Sequence, residues 1–211
     1  MQVHAIQTGT VTVKEAQREG QGGDRTRIVH TLRDKRWTAP LPIYAWVIRH
    51  PEGVIVVDTG ETAAASEPGY FPRWHPYFRL AVRMSVTSDQ EIGPQLDRLG
   101  IDRAEVRWVV LTHLHTDHAG GLAHFPDAEI LVARREYEAA SGFTGKLNGY
   151  LPDRLPGWLA PRLLDLPEDP FGPFPRSLAL TEAGDVRILA TPGHSPGHMS
   201  VVLSEDDERL V

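Results

Sequence analysis

Five side chains in this sequence have the types and spacing to hold a metal ion. His113, His115, Asp117 and His118 crowd into the segment HLHTDH, and His194 stands far downstream in TPGHSPGH. Neutral imidazoles and a carboxylate suit zinc, and also iron or manganese. His113 and His115 are two apart at the end of VRWVVL (106–111), a short apolar run that reads as a buried strand. In extended chain that spacing points both rings to one side. Asp117 and His118 follow where glycines and a helix start bend the chain, so one short segment presents two pairs of ligand groups. A surface histidine cluster is the competing account. Three histidines with an aspartate, at a strand's C-terminal end before a glycine pair, weigh against it. The helical zinc pattern HExxH is absent. His113 and Asp117 could meet at i,i+4 on a helix, but VRWVVL argues against helix there.

A catalytic metal takes at least three protein ligands and keeps an open position. His194 is the best remote candidate, because loops after strands commonly carry ligands. His198 reads as a structural or supporting histidine. His4, His30, His50, His75 and His124 carry no functional signal. Ser195 lies in GHSPG (193–197), which fits the G-x-S-x-G elbow of serine hydrolases. The residue after that serine must donate its backbone N–H to an oxyanion, and here it is Pro196, which has none. The following MSVVL reads as a strand where the elbow needs a helix, and no Asp-then-His pair comes after Ser195.

The elements that must position these groups alternate along the chain. QREGQGGDR (17–25) reads as a flexible loop, because glycines and charges interrupt any apolar period. IYAWVI and VIVVDTG read as strands joined by a turn at Pro51 and Gly53. Residues 61–87 are rich in aromatics, prolines and arginines. They form either a structural excursion packed on the core or a wall of a substrate pocket. SDQEIGPQLDRLG (88–100) reads as a helix, with Ser88 and Glu91 as a capping box, Gly100 as the stop, and Ile92, Leu96 and Leu99 facing the core. EILVA, VRILA and MSVVL read as strands and RREYEAA as a short helix, while 141–180 carries an Asn148-Gly149 turn signal. Strands interleave with helices, yet several neighbours are joined by short turns. This favours a mixed α/β layered fold (α+β layering) over a purely parallel sheet.

The whole chain sets the boundaries. Its 211 residues, 41% hydrophobic and 24% charged, predict one soluble globular domain over 1–211. A net charge of −6 gives no electrostatic reason for a nucleic-acid partner. No run approaches the ~20 apolar residues that cross a bilayer, and the N-terminus lacks a signal-peptide pattern. With no cysteine there is no disulfide and no thiolate ligand, which suits a reducing compartment. A cytoplasmic protein acting on a small-molecule substrate, with neither nucleic acid nor membrane as partner, is the expectation.

In chain order, VDTG, THLHTDHAGG and TPGHSPGH resemble the metallo-β-lactamase superfamily. With LPIYAWVIRHPEGVIVVDTG and the aromatic segment after it, the likeness is strongest to the N-acyl homoserine lactone hydrolases, the quorum-quenching lactonases. The resemblance implies an αββα sandwich with two metals, zinc first and iron or manganese as alternatives, at one edge. His113, His115 and His194 match the ligands of the first metal, Asp117 and His118 match two ligands of the second, and Asp58 matches a residue that orients the site. A metal-activated water would attack the lactone carbonyl as hydroxide, with Asp117 relaying a proton to the departing alkoxide. Another hydrolase on the same scaffold (thioester, β-lactam or phosphodiester) and an inert metal-binding chain are the alternatives.

The family pattern continues past MSVVL with a bridging aspartate, a tyrosine and a final histidine, and none of these positions occurs here. MSVVL, SEDDER and LV look like a hairpin whose second strand stops early, where strands run about five or six residues. The domain is therefore expected to be incomplete at its C-terminus. On that basis one metal is expected to bind and the pair to be weakly occupied, with apolar surface and a sheet edge left open.

Overall fold

The apolar runs assemble into two sheets in the computed structural model, which describes residues 1–23, 26–205 and 208–210. The first half of the chain comprises β1 (Gln2–Val13), α1 (Glu15–Arg18), α2 (Arg27–Arg33), β2 (Leu41–His50), β3 (Gly53–Val57), α3 (Pro76–Leu80), β4 (Val82–Ser85) and α4 (Ile92–Arg98). Then come β5 (Val106–Val110), α5 (Thr116–Ala119), β6 (Glu129–Ala133), α6 (Arg134–Ala140), α7 (Gly142–Leu147) and β7 (Arg162–Leu164). The last strands are β8 (Ser177–Ala179), β9 (Val186–Ala190), β10 (Met199–Glu205) and β11 (Glu208–Leu210).

Seven strands form one sheet in the order β4-β1-β2-β3-β5-β6-β7. It is mixed, as the pattern of short turns and longer crossovers predicts. β1, β2, β3 and β4 pair antiparallel, whereas β3, β5, β6 and β7 run parallel. The parallel strands are near-continuous apolar runs because both of their faces are covered. One face carries Val47, Val56, Val109 and Val132 against Ile92 and Leu96 of α4, Ala119 of α5 and Ala140 of α6. The other carries Ile48, Ile55, Val57 and Val110 against Val186, Ile188 and Met199 of the second, four-stranded sheet. Helices, large sheet and small sheet therefore stack as layers of a mixed α/β sandwich. On β2, Tyr44 and Trp46 alternate with Ile48 on the inter-sheet side yet remain 43% and 45% exposed, so the small sheet covers that face only in part.

The parallel strands also direct their C-terminal ends to one edge, where α/β sheets gather ligand groups. Asp58 follows β3, the HLHTDH segment follows β5, and α6 follows β6 at that edge. The β9–β10 loop with His194 is tied to it by the Met199 N–H, which donates to the Thr112 carbonyl at 2.9 Å.

Several local expectations shift by a residue or an element. The capping box belongs to Thr87 and Gln90 around a 3-10 turn, not to Ser88 and Glu91. Glu91 is instead drawn aside to accept from the Thr62 hydroxyl and the Ala63 N–H and to pair with His124. Ile92 and Leu96 face the core, but Leu99 is 38% exposed because it is the C-cap just past the helix rather than part of its buried stripe. Gly100 does stop the helix. Its φ of +64°, with Gly100 N–H to Asp97 O and Ile101 N–H to Leu96 O, makes a Schellman turn. The segment 17–25 begins inside α1 and continues in turns, while its Asp24 and Arg25 lie outside the described residues. The MSVVL hairpin forms as β10 and β11, and Asp206, Asp207 and Val211 lie outside the described residues. No helix among the described residues is long and apolar enough to cross a membrane.

Candidate metal centre

The site begins with Asp58, the first residue after β3. Its φ of +57° makes it the one non-glycine residue with positive φ among the described residues. Aspartate tolerates that left-handed conformation better than most residues, and strain of this kind concentrates at functional sites. The bend aims the carboxylate across the sheet edge. Oδ1 accepts the Thr112 N–H at 2.8 Å, and Oδ2 accepts the Thr112 hydroxyl at 2.8 Å. Oδ2 also lies 2.7 Å from His118 Nδ1. One buried side chain thus fixes both the start of the HLHTDH segment and one of its rings.

The segment itself turns from strand into the short α5, which separates its two pairs of candidate ligands. His113 Nδ1 is 3.1 Å from the Thr112 hydroxyl, so its Nε2 faces away from the strand, buried and without a hydrogen-bond partner. A buried polar nitrogen without a partner is costly unless something occupies its lone pair. His115 Nδ1 and His194 Nε2 lie 3.1 Å apart, and ligand atoms of His113, His115 and His194 all fall within 4.8 Å of one another. An ion bound at about 2.0–2.1 Å in tetrahedral geometry holds its nitrogens roughly 3.4 Å apart. Modest rotation of the rings would close the set, and three imidazoles are a chemically suitable donor group. The residues fit a divalent cation.

Asp117 and His118 lie beside this trio. The His118 ring is 4.0 Å from that of His113, and its Nε2 is 3.7 Å from Asp117 Oδ2. His198 stands at the rim, with its ring 5.3 Å from His113 and its Nδ1 2.9 Å from the Thr191 hydroxyl. Ser195 is buried, and its hydroxyl donates to Glu136 Oε2 at 2.6 Å rather than to any histidine. That arrangement agrees with the argument against a serine nucleophile.

Charge around the rings sorts them. Burial, reinforced by the neighbouring imidazoles, holds His113 far below the ordinary histidine value. Burial lowers His115, His194 and His198 as well. His118 is opposite in sign. Burial works against its charge, but the Asp58 and Asp117 carboxylates outweigh it and push the ring up to about 9.

Three contributors carry little sequence signal. Thr112 bridges Asp58 and His113. Tyr150 stacks on His115 with ring centroids 4.7 Å apart. Glu136, wholly buried, receives four hydrogen bonds from around the site. One cue was available: Glu136 occupies the same face of α6 as buried Ala140, four residues on, where an apolar side chain is the norm. Glu61, also wholly buried, accepts from the Thr62 N–H and the Tyr70 hydroxyl. Burial pushes its carboxyl up to about 7 despite those bonds.

The segment 61–87 packs as an aromatic cluster beside the site. Phe71 and Phe78 stack at 4.9 Å, His75 Nε2 is 3.1 Å from the Leu147 carbonyl, and Trp74 stacks on Phe143 of α7. Two further histidines are engaged elsewhere, His50 with Asp185 and His124 with Glu91.

A family model described as the metallo-beta-lactamase superfamily matches residues 38–211. The chain is 31% identical to an N-acyl homoserine lactonase of Bacillus cereus over 174 residues, 81% of this chain and 62% of that protein. It is also 31% identical to the N-acyl homoserine lactonase AttM of Rhizobium radiobacter over 212 residues, 96% of this chain and 71% of that protein. The chain thus spans about 62% of the length of the Bacillus cereus relative. Among solved structures, an N-acyl homoserine lactone hydrolase with N-hexanoyl-L-homoserine at its catalytic metal centre superimposes with a TM-score of 0.73. It shares 22% identity, over 98% of this chain and 72% of that one, a likeness of fold.

Proposed function

The chain belongs to the metallo-beta-lactamase superfamily, and on that premise we propose that it is the metal-binding part of a hydrolase that opens the lactone ring of N-acyl homoserine lactones. The observation that carries this reading is the convergence of His113, His115 and His194 at the strand edge, with His113 Nε2 buried and unpartnered. The substrate class is supported by curated relatives that are themselves N-acyl homoserine lactonases.

In this reading His113, His115 and His194 hold one divalent cation, and Asp117 and His118 supply two ligands to a second. Zinc is the proposed metal from the imidazole-rich donor set, with iron or manganese as alternatives. A cation held there polarises a carbonyl and lowers the pKa of a water. The chain's own groups do the rest. Asp58 fixes the His118 ring through Nδ1 and leaves Nε2 turned towards Asp117. Asp117, partly exposed at the start of α5, takes the proton released during attack on the carbonyl and returns it to the departing ring alkoxide. The aromatic cluster of residues 70–78 with Phe143 offers apolar surface beside the site for an acyl chain.

The test is ring opening of N-acyl homoserine lactones followed by proton release, with thioester, β-lactam and phosphodiester substrates in parallel, on the zinc-loaded chain. Lactone turnover above the other classes is expected, with turnover lost in Asp117→Ala. Preference for another class would overturn the substrate assignment, and normal turnover in Asp117→Ala would overturn the proton relay.

A further inference from the structure

Glu136 is a carboxylate with no exposure to solvent, on a helix that contributes none of the five candidate ligands. Its Oε1 accepts the Leu114 N–H at 3.1 Å and the Tyr150 hydroxyl at 2.9 Å. Its Oε2 accepts the Ser195 hydroxyl at 2.6 Å and the Gly197 N–H at 3.1 Å. Four donors fill the lone-pair sites that an ionised carboxylate offers, so Glu136 has no free position for a metal of its own. Three of the four donors adjoin a clustered histidine, and the fourth, Gly197, lies in the same loop as His194. Leu114 sits between His113 and His115, Ser195 follows His194, and the Tyr150 ring lies against His115. The carboxylate thereby joins two loops far apart in sequence.

The approach is also built into the backbone. A Cβ at position 197 would overlap the backbone of Glu136, so glycine there is what lets the His194 loop settle onto α6. Hydrogen bonds to an ionised acceptor are about twice as strong as neutral ones. A buried charge met by four donors is therefore a stiff joint rather than a liability.

We propose that Glu136 is a positioning residue of the metal centre: its carboxylate clamps the His113–His115 segment to the His194 loop and presets the three imidazoles for a divalent cation. This rests on the proposed role of those histidines as ligands. In Glu136→Gln, an amide NH2 replaces one acceptor oxygen, so at least one donor loses its partner while side-chain volume is kept.

The test is cobalt(II) and zinc(II) binding to the purified chain, by chelator competition and by the visible spectrum of the cobalt form. Circular dichroism of the metal-free protein reports the fold. For Glu136→Gln we expect a metal-free spectrum like the parent's, affinity weaker by ~10–100-fold, the range for partners that orient metal ligands, and an altered cobalt spectrum. Unchanged affinity and an unchanged cobalt spectrum would overturn the proposal. Should Glu136→Gln fail to fold, Ser195→Ala and Tyr150→Phe each remove one donor and are read the same way. Weaker binding or a shifted spectrum in either supports the clamp, and parental behaviour in both overturns it. If the parent binds no metal, the ligand assignment fails and this inference fails with it.

Discussion

At the scale of single residues, the centre is organised by carboxylates that are not themselves at its middle. Asp58 shows this most directly. Its left-handed backbone turns Oδ1 and Oδ2 onto Thr112 and His118, and the His118 ring is thereby oriented. Asp58→Asn keeps the shape and the tolerance for positive φ but loses the charge and one acceptor. Metal affinity, measured by chelator competition, is expected to fall by ~10–100-fold, with the secondary structure retained. The candidate ligands were legible because four of them lie within six consecutive residues and the fifth stands in a similarly marked loop. Glu136 and Tyr150 were not, because their partners come from separate segments and only the folded chain brings them together.

At the scale of elements, short-range patterns were readable where burial and turn chemistry agree. β5 and β6 are apolar runs covered on both faces, and α4 shows its buried stripe and its glycine stop. β1 carried no comparable signal, since its twelve residues mix threonines, glutamines and a glycine and its register shifts between Gln7 and Thr10. The capping residues moved by one because Glu91 has stronger partners in Thr62, Ala63 and His124 than in the helix it precedes. Gly100 gives a clean test of the helix stop. Nothing lies within 4 Å of a Cβ built there, so Gly100→Ala adds no clash and leaves only the left-handed backbone to strain. Urea unfolding is expected to show a loss of about 1–2 kcal/mol with an unchanged slope.

At the scale of the molecule, the two sheets meet through an apolar layer and are pinned at one side by a polar link. His50, at the end of β2, lies 3.0 Å from Asp185, which precedes β9. Burial alone would raise the Asp185 carboxyl, but hydrogen bonds from Thr181 and His50 hold it below the usual carboxylate range. A depressed folded-state pKa contributes stability above the unfolded value near 3.9, and that stability is lost as pH falls through the folded value. Asp185→Asn should therefore lower the unfolding temperature at pH 7, and the gap from the parent should narrow below about pH 4. Thermal melts at both pH values check this. The layering was legible from the alternation of strands and helices. The incomplete cover over Tyr44 and Trp46 was not, because it depends on where one sheet lies upon another.

The central claim is that His113, His115 and His194 form a binding site for a divalent cation. Zinc binding by chelator competition, on the parent and on His113→Ala, tests it most directly. The parent is expected to bind at least one zinc per chain, and His113→Ala to lose affinity by two orders of magnitude or more, as removal of one of about three protein ligands implies. Equal zinc affinity in the two proteins, or none in the parent, would contradict it.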